Sequence, residues 1–147
     1  CNLYGKFDKF KTDYSHLIAA VIHKIHQAKN NNENEVEIWG DGMARREFMY
    51  SGDLAEAIIW SINHFDELPK YMNIGLGIDM TIDEYYRKIA KIIGFTGNFT
   101  YDKTKPVGMI RKLVNTDLQT KLGWQPKISI EVGLKKTYEF YLKEIAK

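Results

Sequence analysis

In the stretch WGDGMARREFMY, Trp39 to Tyr50, a glycine-flanked turn is followed at once by two arginines and an aromatic run. A guanidinium presents paired donors in one plane, which matches a phosphate or diphosphate two oxygens at a time, and a tryptophan just upstream offers a face for a flat ring. Trp39 and Arg46 could thus hold a nucleotide or a sugar nucleotide. A second reading stays open beside it, in which Trp39 is a core strand residue and Arg45 and Arg46 are solvated turn residues.

Of the four histidines, His16, His23, His26 and His64, one stands apart. His16 falls in the first turn of an expected helix, where unpaired N–H groups and the helix dipole favour a bound anion. Lys24, eight residues on, is rotated from it by about 80° on ideal helix geometry, so both could border one cleft. Other signatures fail. GLGIDM and GDGMAR begin as G-x-G but lack the third glycine of a dinucleotide loop, and there is neither a Walker loop nor a G-x-S-x-G elbow. Tyr101 and Lys105 have the spacing of a tyrosine–lysine reductase pair, but their segment reads as strand and loop, which makes the pair a decoy.

These residues must be placed by a succession of short elements. Ile18, Val21, Ile22 and Ile25 recur at three- and four-residue spacing, predicting a helix from Ser15 to about Lys29, followed by a loop at NNNEN. EVEIW (Glu35 to Trp39) alternates like a half-buried strand, and Glu47 to Tyr50 offers a second one. Ser51 and Asp53 suit a helix start, with the helix running to about His64. Asp66 to Pro69 breaks the chain, and Tyr71 to Gly75 reads as a short strand. Thr81 and Glu84 form a capping box for a helix whose stripe of Ile82, Tyr86, Ile89, Ile92 and Ile93 stops at Gly94. NFTYD and RKLVN are weaker strands, and Thr116 to Leu122 a short helix closed by Gly123. Ser129 caps a last helix in which Ile130, Leu134, Tyr138 and Tyr141 or Leu142 share a face. Helices and strands alternate throughout, so the class is α/β or α+β with a few short strands.

Composition narrows the function classes. With 147 residues, 44% hydrophobic and 27% charged, the chain has the make-up of one ordinary globular domain. A formal charge of +2 is too small to imply nucleic acid, and the lysines are scattered among acids with no stripe of interleaved aromatics. The single cysteine, Cys1, excludes an internal disulfide framework and a multi-cysteine metal site, and favours a reducing, cytoplasmic setting. No apolar run approaches the ~18 residues of a membrane span, and no signal-peptide pattern opens the chain. The start, CNLYG, reads like the end of a strand already in progress, so a fragment is expected.

Taken in order, NLYG, SH at a helix start, WGDG…RREFMYSGDLAEAI, NIG…TIDEYYRKIAKIIGF, KP.G…RK and LGWQPKISIEVGLKKTYEFYL resemble the C-terminal half of the GDP-L-fucose synthase family, within the extended short-chain dehydrogenase/reductase (NAD-dependent epimerase/dehydratase) superfamily. The resemblance covers essentially all of the chain. It implies an NADPH-dependent enzyme that epimerises and reduces a GDP-4-keto-6-deoxy sugar. Asn2 and Leu3 then match the segment touching the nicotinamide end of the cofactor. His16 matches the histidine beside cofactor and substrate that serves as proton donor in the epimerisation, a role that fits the chemistry, because inverting a carbon next to a ketone needs a base on one face and an acid on the other. Lys24, Trp39 and Arg46 match positions that bind the GDP-sugar, and Arg111 is a further candidate for the same charge.

Two departures qualify what the resemblance implies. Val107 stands where the family often has Asp, which opens the alternative of a related nucleotide-linked keto-sugar such as a heptose. The Gly-rich NADP loop and the Ser, Tyr and Lys catalytic set are absent from these residues. The expectation is therefore a single C-terminal substrate-binding domain, residues 1–147, in which residues 1–5 end a missing Rossmann half. Such a piece should neither bind NADP(H) strongly nor transfer a hydride alone, while the full-length protein is expected to be a homodimer. A sister dehydratase or 4-epimerase, or a stand-alone sugar-nucleotide-binding module, remain as competing readings.

Overall fold

The computed structural model describes residues 1–11 and 15–146. Its elements are β1 (Asn2–Tyr4), α1 (Leu17–Asn30), β2 (Glu35–Trp39), β3 (Arg45–Arg46), β4 (Phe48–Tyr50), α2 (Ser51–Asn63), a 3₁₀ turn (Phe65–Glu67), β5 (Met80–Thr81), α3 (Ile82–Ile93), β6 (Asn98–Asp102), β7 (Arg111–Lys112), α4 (Asp117–Lys121) and α5 (Ile130–Glu144). The fold is α/β, with strands and helices alternating along the chain. Among the described residues, no helix is long and apolar enough to cross a membrane.

Among the described residues the strands form three small sheets. β1 pairs in parallel with β4, β2 in parallel with β6, and β3 lies between antiparallel β5 and parallel β7. The main core joins α1, β2, α3 and α5 through Ile18, Ile22, Ile25, Ile38, Tyr85, Ile89, Leu134 and Tyr141, each at most 1% exposed. Burying an isoleucine or leucine fully contributes roughly 1.5–3 kcal/mol, so this cluster is what fixes α1, and with it His16 and Lys24, relative to β2. A second cluster of Met49, Ala57 and Trp124, with Leu3 packed against it, ties β1 and β4 to α2.

Local signals account for the helices. Thr81 and Glu84 make the reciprocal capping box of α3, and Gly94 ends it in the left-handed conformation at φ 74°. The Ser129 side chain accepts from Val132 N–H at the start of α5. On that helix Tyr141 is buried and Leu142 is 45% exposed, which settles the face shared with Leu134.

Four expectations are corrected. His16 is the N-cap of α1, one residue before the helix and not within its first turn. α2 begins without a side-chain cap; Asp53 is buried and accepts instead from Lys127 and Ile128 N–H, both at 3.1 Å. The Tyr71–Gly75 segment is not a strand, because its partner is a side chain: buried Gln119 accepts from Gly75 N–H at 2.9 Å and donates to Gly75 C=O at 3.0 Å. Only Arg111 and Lys112 of RKLVN pair as strand, and Arg45 and Arg46 are strand too, not turn.

Candidate functional site

A cavity of about 720 Å³ opens between α1, the end of β2, the β3–β4 segment, α3 and the 106–107 loop. α1 contributes His16, Leu17, Val21 and Lys24; β2 contributes Trp39; the β3–β4 segment contributes Arg46 and Phe48. Ile82 and Tyr86 close it from α3, and Pro106 and Val107 from the loop. A second cavity of about 430 Å³ follows the chain from Cys1 to Asp8 and is bounded by Ser51. Asn2 and His16 line both. The expected residues Asn2, His16, Lys24, Trp39 and Arg46 thus line the larger cavity, Asn2 and His16 are shared with the smaller one, and Leu3 lines the smaller one only.

Trp39 is 63% exposed, so it is not a core residue. The alternation of β2 explains this: Val36 and Ile38 face the core, while Glu35, Glu37 and Trp39 face out. Glu37 then orders the pair that faces the cavity. Its Oε1 accepts from Trp39 Nε1 at 3.1 Å, and its backbone carbonyl accepts from Lys24 Nζ at 2.5 Å. Burial pushes the Lys24 ammonium below the usual lysine range, with the Glu37 charge opposing that shift. A second ammonium, Lys105 Nζ, lies 5.5 Å from the indole centroid. Lys105 and Tyr101 therefore serve different partners, since Tyr101 Oη donates to Asp83 Oδ1 at 2.5 Å.

The two arginines of the opening stretch part company. Arg45 donates from Nε to Asp79 Oδ1 at 2.9 Å and from Nη2 to Asp79 C=O at 2.8 Å. Arg46, on the opposite side of the pleat, lines the cavity and braces itself by donating from Nη1 to the Arg45 carbonyl at 2.8 Å. Arg111 does not join it. Its Nε donates to Asp79 Oδ2 at 2.5 Å, placing it with Arg45. The guanidinium of Arg111 first, and then that of Arg45, hold the buried Asp79 carboxyl below the usual carboxylate range, against the effect of burial.

The register of β3 and β7 pairs Arg45 with Arg111 and Arg46 with Lys112. Lys112, and not Arg111, therefore stands on the Arg46 side of the sheet. Lys112 lines neither cavity, and its side of the sheet is visible only once both dipeptides are known to be paired strands. Sequence reasoning missed Glu47. That residue is 1% exposed, and its carboxylate accepts from Leu76 N–H at 2.6 Å, Gly77 N–H at 2.9 Å and Val114 N–H at 3.1 Å. Its backbone carbonyl accepts from Asn2 N–H at 3.2 Å and from Asn2 Nδ2 at 3.0 Å. One buried residue so links Asn2, at the boundary of the two cavities, to the strand segment that carries Arg46 and Phe48.

The loop over the cavity is seated on a glycine. Gly40 has φ +77°, and a β-carbon there would lie 3.0 Å from Val107 Cγ2. Pro106 and Val107 bring no hydrogen-bonding side chain to that wall. The cavity therefore has a cationic and aromatic part (Lys24, Arg46, Trp39), an apolar lid, and an imidazole where it adjoins its neighbour. Such a site can hold an anionic group beside a flat ring and exchange a proton with something nearby.

Comparison with known proteins identifies the family. Residues 1–75 match the model of the NAD dependent epimerase/dehydratase family. The chain is 55% identical to the GDP-L-colitose synthase of Yersinia pseudotuberculosis over 144 residues, 98% of this chain and 47% of that protein. It is 46% identical to the GDP-L-fucose synthase of Azorhizobium caulinodans, covering 97% of this chain and 46% of the relative. A solved GDP-mannoheptose C4 reductase from Campylobacter jejuni with NADP bound superposes with a TM-score of 0.81 at 28% identity, over 96% of this chain and 51% of that one. The chain spans about half the length of the relatives it matches. On the family match and these similarities, the chain belongs to the NAD dependent epimerase/dehydratase family and is a homologue of the GDP-L-fucose and GDP-L-colitose synthases.

Proposed function

We propose that this chain forms the substrate-binding part of an NADP(H)-dependent epimerase/reductase acting on a GDP-linked keto-deoxy sugar. The observation that carries the reading is the shared wall of Asn2 and His16 between the two cavities, with Lys24, Trp39 and Arg46 around the larger one. Arg46 and Lys24 bind the diphosphate region, Trp39 offers its face to a flat or apolar part of the ligand, and the sugar lies toward His16. The names of the relatives, which refer to GDP-L-fucose and GDP-L-colitose, support the choice of GDP.

The smaller cavity fits the reactive end of a nicotinamide in its chemistry: the Asn2–Tyr4 strand, Ser51 and His16 line it, and Asn2 and His16 also line the larger cavity. A nicotinamide held by these residues would supply the hydride for reduction of the ketone. His16, exposed at the N-cap of α1, carries a proton at a ring nitrogen and delivers it to the carbon beside the ketone after a base on the opposite face has taken the original C–H proton, so that the centre inverts. Asn2 is held still for this by its two hydrogen bonds to the Glu47 carbonyl.

A second reading, a GDP-heptose epimerase/reductase, is supported by the likeness to the solved GDP-mannoheptose C4 reductase; Val107, which lines the cavity and can accept no hydrogen bond from a sugar hydroxyl, removes a contact without selecting either sugar. Solvent deuterium exchange separates epimerisation from reduction. In the full gene product that contains this chain, His16→Gln should cut deuterium incorporation at the carbons beside the ketone at least 100-fold, the loss expected for one general acid–base group, while NADPH oxidation on an already epimerised substrate falls much less. Equal loss of both, or of neither, contradicts the assignment of His16. Running the same assay with a 6-deoxyhexose and a heptose substrate decides between the two readings.

A further inference from the structure

Asp79 lies immediately before β5, and its side chain is 3% exposed. It is not among the residues lining the cavity, yet it holds two guanidinium groups: Arg45 through Nε and Nη2, and Arg111 through Nε. Arg45 and Arg111 are register partners on β3 and β7, so both face one side of that three-stranded sheet. The residues that follow them, Arg46 and Lys112, are also register partners and face the other side, where Arg46 lines the cavity.

We propose that Asp79 is a positioning residue that sorts this basic cluster, holding Arg45 and Arg111 on the far side of the sheet so that Arg46, with Lys112 beside it, faces the nucleotide diphosphate. The inference rests on the cavity being a nucleotide-sugar site. The physical need for such a device is plain. β3 is two residues long, and both of them are arginine. A one-residue slip in a strand exchanges its two faces, and within this dipeptide the identical side chains offer no difference to oppose it, so that the task falls to buried flanking residues such as Ala44, Glu47 and Phe48 and to whatever distinguishes the two guanidinium groups. Asp79 opposes it, because only one of the two arginines can reach a buried carboxylate fixed on one side. Through Arg111 the same carboxylate fixes β7, where the 106–107 loop that covers the cavity returns to the sheet.

The test uses the sign of an electrostatic effect. A negative charge near an anion site repels the anion, so neutralising Asp79 by field alone would tighten binding of a diphosphate; loss of positioning weakens it. GDP binding is measured by calorimetry for Asp79→Asn, Arg46→Ala and the double variant, in this chain and in the full gene product that contains it, with thermal melts to show that each is folded. Asp79→Asn should bind GDP about tenfold more weakly, the scale of one charge-assisted hydrogen bond. That loss should vanish in the Arg46→Ala background, since residues acting through one another are not additive. Arg45→Lys keeps the charge and removes the two-point hold, so it should show a smaller loss with the same dependence on Arg46, and it carries the test if Asp79→Asn does not fold. Unchanged or tighter GDP binding in Asp79→Asn, or an equal loss with and without Arg46, overturns the sorting role. If GDP does not bind the parent sequence, or binds it independently of Arg46, the reading of the cavity itself is overturned and the sorting role with it.

Discussion

Arg45 and Arg46, neighbours in the chain, serve opposite faces of the same two-residue strand: Arg45 grips the buried Asp79 carboxylate at 2.9 Å, and Arg46 lines the cavity. Their substitutions should therefore fail differently. Arg45→Ala leaves Asp79 with one partner and lowers stability. Breaking a buried pair costs about 3–5 kcal/mol, but the Arg45 side chain is 39% exposed, so solvent screening reduces the expectation to about 1–2 kcal/mol. Arg46→Ala should leave the urea midpoint nearly unchanged and weaken nucleotide-sugar binding. Urea unfolding and calorimetry on both variants check the division; a stability loss in Arg46→Ala as large as that in Arg45→Ala would contradict it.

Acid should loosen the seat of α1. His23 Nδ1 and Tyr141 Oη are 2.7 Å apart, His26 Nδ1 and Tyr138 Oη 3.0 Å, and Asn30 Nδ2 donates to His26 Nε2 at 2.9 Å. Burial first, then Lys11 and His26 for His23 and Lys29 for His26, lower both histidine pKa values. The folded state thus takes up protons less readily than the unfolded chain. The stability these neutral rings contribute is present above the unfolded pKa near 6.5 and declines as pH falls through it. The urea midpoint should drop between pH 7.5 and 5.5, both on the order of one unit from that pKa, and the drop should shrink in His23→Gln/His26→Gln. A flat profile in the parent sequence would rule the linkage out.

Gln119 stands in for a strand. Its amide satisfies both backbone groups of Gly75 in a buried position, so Gln119→Leu leaves an N–H and a C=O without partners. At about 1–3 kcal/mol for each buried unsatisfied group, the loss should be at least about 2 kcal/mol by chemical denaturation, and a loss below about 0.5 kcal/mol would show that water replaces the amide.

The cap of α3 is worth a separate check because the loop before it carries Asp79. Thr81→Ala removes the acceptor for Glu84 N–H and should cost about 1 kcal/mol. Amide hydrogen exchange should show the loss confined to the first turn of α3, whereas uniform acceleration across α3 would point to a core defect.

Features set by near neighbours were legible in the sequence. The Thr81–Glu84 box, the Ser129 cap and the stripe of α1 all depend on residues within a few positions, whereas the face of Trp39 is open in the sequence and is settled by the strand, which turns it outward. Asp53 shows the limit. A short carboxylate at a helix start has the chemistry of a cap, but backbone N–H groups at 127 and 128 claim it from across the fold. Tyr71–Gly75 has strand composition, yet its partner is a side chain from α4. The sorting of Arg46, Arg111 and Lys112 depended on pairing between dipeptides some 65 positions apart, a distance over which one sequence carries no register. Arg111, the further candidate for the diphosphate charge, pairs with Asp79 and does not line the cavity.

The measurement closest to the central claim is calorimetric titration of the parent sequence and Arg46→Ala with GDP-fucose, GDP-mannose and UDP-glucose. The account predicts binding of the GDP-sugars in preference to UDP-glucose, weakened in Arg46→Ala by about 1.5–3 kcal/mol, the range for a hydrogen bond to a charged group. GDP-sugar binding of equal strength in both proteins, or no preference for GDP over UDP in the full gene product, would contradict it.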